Sequence, residues 1–264
     1  DHSVATVKGA ILNILPQAQI LDISHLIAPF NIIEAAYIIR NAYKNFPKGS
    51  IHIIGVDAEL TAENKHIALE LDEHYFIAAD NGIMSLVASQ IKPRQIVEID
   101  IHQSIQTDFT LLNVFVYVAT HLARGGKLDV IGRKIEAIKH LKHIQPQVSE
   151  PGDQIIGHVI YIDNYGNLVT NVTRQLFESV QNDRKFTITA RNVKFSRLYK
   201  SYSDAIDFTT EAEDRQSSGK KIALFNSADF IELSLYKSNP QRSGGASSLF
   251  GVQLMDSINI KFHK

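Results

Sequence analysis

The chain has 264 residues, of which 44% are hydrophobic and 21% are charged, a composition typical of a soluble globular protein and not of a disordered one. A formal net charge of −1 gives no basic field for nucleic acid or an anionic membrane, and no apolar run approaches the roughly 20 residues of a membrane helix. Cysteine is absent, which excludes disulfide and thiolate chemistry and fits the cytoplasmic protein that we expect.

The first half of the chain alternates helix and strand patterns. Apolar residues at helical spacing predict helices over VATVKGAILNIL, NIIEAAYIIRNAYKNF, IMSLVASQI and VFVYVATHLA, the last of which is ended by two glycines. Apolar runs predict strands over AQILDIS, SIHIIGVD, HIALELD, HYFIAAD and QIVEIDI. Such alternation is typical of an α/β domain with a mostly parallel sheet that helices cover on both faces.

The pattern changes at KHIQPQVSEPGDQ, where prolines and polar residues predict a linker. We therefore expect an N-terminal α/β domain over residues 1–146 and a smaller C-terminal domain over residues 147–264. The second domain has strand patterns at IIGHVIYID, NLVTNV, KFTITA, KIALFN, FIELSL and INIKF, and one helical pattern at TRQLFESV. This favours a β-rich domain, an antiparallel barrel or sandwich, and we expect it to be barrel-like.

Two polar stretches carry groups suited to chemistry. Asp57 follows the apolar run IHIIGV, and ligand sites in open α/β sheets gather at the carboxyl ends of strands. The stretch IDNYGNLVTN is either a plain hairpin turn or a rigid turn from which Asp163 and Asn167 reach a hydroxyl-rich ligand. The histidines are scattered without the close spacing of a zinc site, so we expect no metal.

Three further positions stand at connections between predicted elements. Phe30 precedes a helix, and its plain interpretation is a buried aromatic before an Asn31 helix cap. Tyr202, in SYSD, is either a stacking surface or a core residue. Ser227 forms the polar step of NSADFIEL, between two strand patterns. Each of these signals is weak when taken alone.

In their order along the chain, however, eight segments form a specific series. DHSVATVKGAIL, LDISHLIAPFNIIEAA, FPKGSIHIIGVD, FIAADNGIMSLV, THLARGG, IDNYGNLVTN, SYSD and NSADFIEL resemble the S-adenosylmethionine (SAM) hydroxide adenosyltransferase family, which is related to the fluorinases and chlorinases. The resemblance covers nearly the whole chain. It implies a homotrimer in which SAM lies between the N-terminal domain of one subunit and the C-terminal domain of its neighbour. It also implies hydrolysis of SAM at the ribose C5′ to adenosine and methionine, with SAM as substrate and no cofactor.

The resemblance also implies roles for particular residues. Asp163 and Asn167 match positions that contact the nucleoside or methionine parts of the ligand. Tyr202 matches an aromatic ring that packs on adenine, a sequence-tolerant way to hold a base. Phe30 matches an aromatic wall of the ligand site, and Phe109 lines the pocket near the reacting carbon. Ser227 matches the polar step beside the adenine or methionine end.

Two helper positions depart from the family pattern. Hydrolase members read VDPGVGT followed by an arginine, and later TFHGRD, whereas this chain reads VDAELTAEN and TDFTLLNV. Asp57 is kept, but Asn64 stands at the arginine position and Thr110 at the histidine position. The halide enzymes fit no better, because they lack an acidic residue at the Asp57 position. The resemblance also places a strand with a ribose-binding aspartate upstream of Asp1.

Three hypotheses about function follow. The first is a divergent SAM hydrolase in which Asp57 works with a rearranged set of helpers. The alternative is a non-catalytic homotrimer that binds SAM or adenosine, and the third is a structural trimer with an empty pocket. Asn64 and Thr110 separate the first two, because losing a positioned proton-transfer group typically costs ~10²–10⁴ in rate. The altered loop offers further candidates for the missing group: Glu59, Glu63 and Lys65.

Overall fold

The computed structural model describes residues 2–88, 91–101, 109, 111–141, 145–211, 215 and 217–263. The chain forms two compact units, Asp1–Leu141 and Lys142–Lys264, and each is described by itself. None of the helices in the described part of the chain has the length and apolar character needed to cross a membrane.

The first unit combines helices with a five-stranded sheet, which confirms the predicted α/β class. Its described helices are α1 His2–Ile14, α2 Ile32–Ala42, α3 Ile83–Ala88 and α4 Val116–Ala123. Its described strands are β1 Ile51–Ile53, β2 His66–Leu71, β3 His74–Ala79, β4 Gln95–Ile99 and β5 Gly132–Lys134. The strand order is β1-β3-β2-β4-β5.

The expectation of a mostly parallel sheet is wrong. Among the described strands only β1 and β3 pair in parallel, whereas β2 pairs antiparallel with β3 and β4, and β4 with β5. The cause lies in the turn between β2 and β3, where Asp72 and Glu73 have φ of 52° and 63°, as a two-residue type I′ hairpin requires. A parallel return needs a crossover of a dozen or more residues, so this short turn enforces antiparallel pairing.

The strand predicted over AQILDIS is also wrong. Residues 18–24 lie outside the sheet in the described structure, and Leu21 in their middle is exposed. An extended segment becomes a strand only by exchanging hydrogen bonds with a neighbour, and none of the described strands pairs with this one. The apolar alternation of the segment therefore buries little.

Alternate residues of the interior strand β3 explain how the sheet is covered. Phe76 points into a cluster with Ile39 of α2 and Met84 of α3, while Ile77 points into a second cluster with Val118 of α4. Because successive strand residues face opposite sides, a run that is apolar at every position predicts burial on both faces. Each such side chain stabilises the fold by about 1.5–3 kcal/mol when fully buried.

The second unit is a nearly closed antiparallel barrel, as predicted. Its described strands are β6 Gln147–Val148, β7 Gln154–Ile162, β8 Leu168–Thr173, β9 Lys185–Ala190, β10 Val193–Phe195, β11 Lys221–Phe225, β12 Phe230–Leu235 and β13 Ser257–His263. Their order is β10-β9-β13-β7-β8-β12-β11, with β6 beside β7. The end strands approach each other where Nζ of Lys221 donates to the carbonyl of Lys194 at 3.4 Å.

Two helices accompany the barrel, α5 Arg174–Gln181 and α6 Ala246–Phe250. Thr173 caps α5 by accepting the backbone N–H of Leu176, as its position before the helical pattern TRQLFESV favours. Phe177 of α5 is buried in the barrel core and makes an edge contact with the ring of Phe186, 5.1 Å away. The helix therefore packs against the barrel core through an aromatic side chain.

Candidate functional site

Asp57 lies in the turn that follows β1, and other parts of the sheet hold this turn by its backbone. Nδ2 of Asn81 donates to the carbonyl oxygens of Val56 at 3.3 Å and Asp57 at 3.0 Å. Nε2 of the buried His66 donates to the carbonyl of Ala58 at 2.9 Å. The φ of Asp57 is 48°, a conformation that residues other than glycine rarely adopt. The Asp57 carboxylate makes no hydrogen bond to any residue in the described ranges.

Asn64 closes the same loop and contacts a lysine. Its backbone N–H donates to Oγ1 of Thr61 at 2.9 Å. Its side-chain Oδ1 accepts from Nζ of Lys139 at 3.2 Å. The backbone N–H of Lys139 donates to Oδ1 of Asp80 at 2.9 Å, and Asp80 directly precedes the Asn81 that holds the Asp57 turn. Two consecutive residues therefore hold both parts: Asp80 binds the backbone of Lys139, and Asn81 binds the turn that carries the Asp57 carboxylate.

The electrostatics of this region depend on how Asp80 is placed. Burial raises the pKa of the Asp80 carboxyl above its usual range, and the backbone hydrogen bond from Lys139 opposes that rise. Sequence reasoning missed Asp80, Asn81 and Lys139. The signal for the first two was the turn sequence DNG directly after a predicted strand, whereas Lys139 carries no local signal at all.

The aromatic positions of the first unit differ from one another. Phe30 is 78% exposed with φ of 61°, so its interpretation as a buried aromatic is wrong. Asn31 caps α2 as predicted, because its side chain accepts the backbone N–H of Glu34. Phe109 is half-buried. Thr110 lies outside the described residues.

In the second unit, Asp163, Asn167 and Tyr202 come together. Asn167 is 5% exposed, and its Nδ2 donates to Oδ2 of Asp163 at 2.9 Å and to the hydroxyl of Tyr202 at 3.2 Å. Oδ1 of Asp163 accepts the backbone N–H groups of Tyr165 at 2.8 Å and Asn167 at 2.9 Å. The stretch is thus the hairpin turn between β7 and β8, and the Asp163 carboxylate builds that turn.

Two residues of β12 complete the group. The Tyr202 hydroxyl donates to the Glu232 carboxylate and lies 3.2 Å from Oγ of Ser234, which itself donates to Glu232 Oε1 at 2.8 Å. Glu232 is 7% exposed, while 38% of Tyr202 remains exposed. Burial, together with the hydrogen bond to Glu232, raises the pKa of Tyr202 well above its ordinary value, so the hydroxyl stays a neutral donor. We call Asp163, Asn167, Tyr202, Glu232 and Ser234 the Tyr202 network.

Sequence reasoning missed Glu232 and Ser234. The available signal was a single glutamate inside the apolar strand pattern FIELSL, since a glutamate is almost never fully buried unless it has partners. Its partner Tyr202 lies 30 positions earlier in the chain, on a loop, and no periodicity connects the two.

Ser227 is not part of the Tyr202 network. It is exposed in the turn before β12, and the β8–β12 register pairs Phe230 with Thr173 and Leu233 with Leu168. Asn167 precedes Leu168, so the Ser227 turn lies at the opposite end of this strand pair. At about 3.4 Å per residue, the length of β8 separates the two groups.

The orientation of the Asn167 amide decides what the network offers to a ligand. A carboxylate oxygen only accepts hydrogen bonds, so Nδ2 must face Asp163 and Oδ1 must face away. Oδ1 accepts no hydrogen bond from the described residues. The network therefore presents acceptor oxygens beside an exposed ring, an arrangement that suits a ligand with N–H or O–H donors and a flat face. Within the described ranges, no three His, Asp or Glu side chains form a group that could hold a metal ion.

Models of two domain families match this chain. The SAM hydroxide adenosyltransferase N-terminal domain matches residues 1–132, and the C-terminal domain of the same family matches residues 157–259. Together the matches cover most of both compact units. This chain belongs to the SAM hydroxide adenosyltransferase family.

Individual proteins agree with this membership of the SAM hydroxide adenosyltransferase family. The chain is 28% identical over 268 residues to an (R)-S-adenosyl-L-methionine hydrolase of Methanocaldococcus jannaschii, covering 97% of this chain and 90% of that protein. It is 23% identical over 210 residues to a fluorinase of Nocardia brasiliensis, covering 68% and 70%. A crystal structure of an uncharacterized conserved protein from Thermotoga maritima superposes with a TM-score of 0.82 and 27% identity, covering 99% of this chain and 95% of that one.

Proposed function

We propose that this protein is a divergent SAM hydrolase that converts SAM and water to adenosine and L-methionine. The observation that carries the proposal is the Tyr202 network, which joins Asp163, Asn167 and Tyr202 by hydrogen bonds. The resemblance matches Asp163 and Asn167 to positions that contact the nucleoside or methionine parts of the ligand, and Tyr202 to a ring that packs on adenine. A relative whose match covers 97% of this chain is named a SAM hydrolase.

In this proposal the second unit binds the nucleoside. The exposed part of the Tyr202 ring stacks on adenine, a contact worth ~1–3 kcal/mol per base. Oδ1 of Asn167 accepts a hydrogen bond from the ligand, because its Nδ2 is already occupied by Asp163 and Tyr202. Phe30 and Phe109 line the ligand on the first unit. Ser227 lies at the opposite end of the β8–β12 pair from Tyr202, so in this proposal it contacts a part of the ligand other than the stacked adenine.

The reaction itself needs little from the protein beyond a nucleophile. The oxygen of water or hydroxide forms a bond to the ribose C5′, the C5′–S bond breaks, and its electron pair stays on the methionine sulfur. Because the sulfonium is already a good leaving group, no general acid is required. Bulk water has a pKa of about 15.7, so the barrier lies in providing hydroxide. Asp57 orients the water and accepts its proton, directly or through solvent.

The alternative is a non-catalytic protein that binds SAM or adenosine, and one observation favours it. Asn64, at the position where the resemblance implies an arginine, is neutral. An aspartate carboxylate by itself is a weak base for taking a proton from water. We therefore expect slow turnover. For both alternatives we propose a homotrimer with SAM bound between subunits.

The decisive experiment is product analysis of full-length protein with SAM in ¹⁸O-labelled water. Hydrolysis at C5′ puts the label into the 5′-hydroxyl of adenosine, and methionine appears in equal amount. Calorimetry with SAM and adenosine measures binding separately, and light scattering measures the assembly. Binding without labelled adenosine would support the non-catalytic alternative, and the absence of both would overturn the proposal.

A further inference from the structure

The fold brings the ammonium group of Lys139 to the Asp57 loop. Its Nζ donates to Oδ1 of Asn64 at 3.2 Å, and its backbone is fixed by Asp80 at 2.9 Å. The next residue, Asn81, donates to the carbonyl of Asp57 at 3.0 Å. One dipeptide therefore positions both the lysine and the turn that carries the carboxylate.

The charge of Lys139 acts on the Asp80 carboxyl, whose rise in pKa it opposes, but the Lys139 Nζ is in no direct ion pair with a described residue. Its partner Asn64 is an uncharged amide, and within the described ranges no carboxylate forms an ion pair with its Nζ. Asp80 accepts from the backbone N–H of Lys139 and not from its side chain. A primary ammonium has three donors, and the amide of Asn64 takes one of them.

We propose that Lys139 supplies the positive charge for the nucleophile at the Asp57 site, and that Asn64 is a positioning residue that orients it. This inference rests on the proposed hydrolysis. Lys139 stabilises the attacking hydroxide as its oxygen bonds to C5′ and the electron pair of the C5′–S bond passes to methionine. The proton of the water leaves to the Asp57 carboxylate or to solvent, and Lys139 keeps its own protons throughout.

A cation at this place has opposite effects on substrate and nucleophile. SAM itself carries a sulfonium charge, so Lys139 weakens or leaves unchanged the binding of the ground state while it favours the anionic nucleophile. Removing it should lower kcat without raising KM. Because a positive charge lowers the pKa of nearby water, its removal should also shift the rising limb of the rate profile to higher pH. An ordinary solvated surface lysine would cause neither change.

The test compares five variants of the full-length protein in steady-state release of methionine between pH 6 and 9, from which kcat and KM are obtained. Lys65→Met removes the charge of the lysine in the Asp57 loop itself. Lys139→Met removes the charge and keeps most of the chain length, while Lys139→Arg keeps the charge. Asn64→Asp gives Nζ a carboxylate partner that neutralises it. Lys134→Met removes an exposed lysine of β5 in the same unit, for which the structure describes no side-chain hydrogen bond, and is the matched control.

We expect Lys139→Met and Asn64→Asp to lower kcat about tenfold, the lower end of what one electrostatic donor contributes to a transition state. Lys139→Arg should recover at least part of the loss, and Lys134→Met should match the unaltered protein. If the protein turns over and Lys139→Met has the original kcat and pH profile, the assignment of Lys139 is wrong while hydrolysis stands. If the loss follows Lys65→Met instead, Lys65 is the cation. If the unaltered protein binds SAM and releases nothing up to pH 9, hydrolysis itself is overturned, and this role of Lys139 with it.

Discussion

The Asp57 turn and the Tyr202 network hold their polar groups in different ways. In the Tyr202 network the side chains bind one another, so that Asn167 contacts both Asp163 and Tyr202. In the Asp57 turn the neighbours bind only backbone carbonyls, and the carboxylate itself is left without a partner in the described structure.

This difference separates binding from reaction. Interlocked side chains are preorganised, which reduces the ordering that a ligand must cause on binding. A carboxylate without side-chain partners keeps its full capacity to accept hydrogen bonds, and it is available to a water molecule or a proton. We therefore expect changes in the Tyr202 network to alter affinity and changes at the Asp57 turn to alter rate.

The largest effect should come from Asp57→Asn. It removes the negative charge of the Asp57 side chain and leaves the hydrogen bonds of Asn81 and His66 to the turn's backbone in place. We expect methionine release to fall by ~10²–10⁴, the usual contribution of a positioned proton-transfer group, while calorimetric affinity for adenosine is unchanged. The control is Asp100→Asn, which makes the same carboxylate-to-amide change at an exposed position of the same unit. Weaker adenosine binding by Asp57→Asn would erase the distinction between the two regions.

Acid should destabilise the first unit more than the second. In the first unit His52 and His74 are both buried, with Nε2 of one 3.2 Å from Nδ1 of the other, among the rings of Tyr43, Phe46 and Phe76. Burial, with a smaller effect from His74, lowers the pKa of His52 to about 4, and burial also lowers the pKa of His74. The unfolded chain, with a histidine pKa of about 6.5, therefore takes up protons first.

Because the unfolded chain binds these protons first, the free energy of unfolding falls as the pH is lowered. Stability that is present above pH ~6.5 is lost as the pH falls towards about 4. Hydrogen exchange at pH 7 and pH 5 should show β3 amides losing more protection than β7 amides, after correction for intrinsic rates. In His52→Phe the difference should shrink, and in the exposed control His140→Asn it should persist. Equal losses in both strands would contradict the expectation.

The parts of the fold that sequence predicted are those set by local periodicity. The barrel strands β7 to β9 and β11 to β13 and the helices α2 and α4 follow from apolar spacing alone. The β2–β3 hairpin was hidden because Asp72 and Glu73 are not the glycine-containing pair that usually marks a type I′ turn. The segment at residues 18–24 has strand alternation without a partner, and pairing is not a local property.

The candidate site was predicted where one turn carries the signal and missed where distant segments meet. Asp163 and Asn167 occupy a single hairpin, so their proximity follows from sequence. Glu232 and Lys139 reach their partners only through the folded sheet, from 30 and 75 positions away. No spacing in the sequence connects such residues, because strand order and register decide their contact.

A medium effect should come from the ring of Tyr202. Tyr202→Ala removes the exposed face of the ring and should weaken adenosine binding by ~1–3 kcal/mol, about 5- to 150-fold. The rate at which bound SAM is hydrolysed should stay unchanged. Tyr202→Phe keeps the ring and should lose much less. Calorimetry on Tyr165→Ala, an exposed tyrosine of the same unit, gives the background for any surface tyrosine. An unchanged affinity in Tyr202→Ala would mean that the ring only packs against the barrel.

The smallest effect should come from Glu232→Gln, which tests whether the network acts by orienting the ring. Glutamine keeps an acceptor oxygen for Tyr202 and Ser234 but removes the charge, so the hydrogen bond from Tyr202 weakens from charge-assisted to neutral, a change of about 1 kcal/mol. We expect the pKa of Tyr202 to move down towards its ordinary value in an NMR titration. KM for SAM should rise about threefold to fivefold while kcat stays constant. The exposed control Glu178→Gln on α5 should change neither quantity. A fall in kcat with constant KM would show that Glu232 acts on the reaction and not on the ring, and the division between a binding network and a reacting turn would fail.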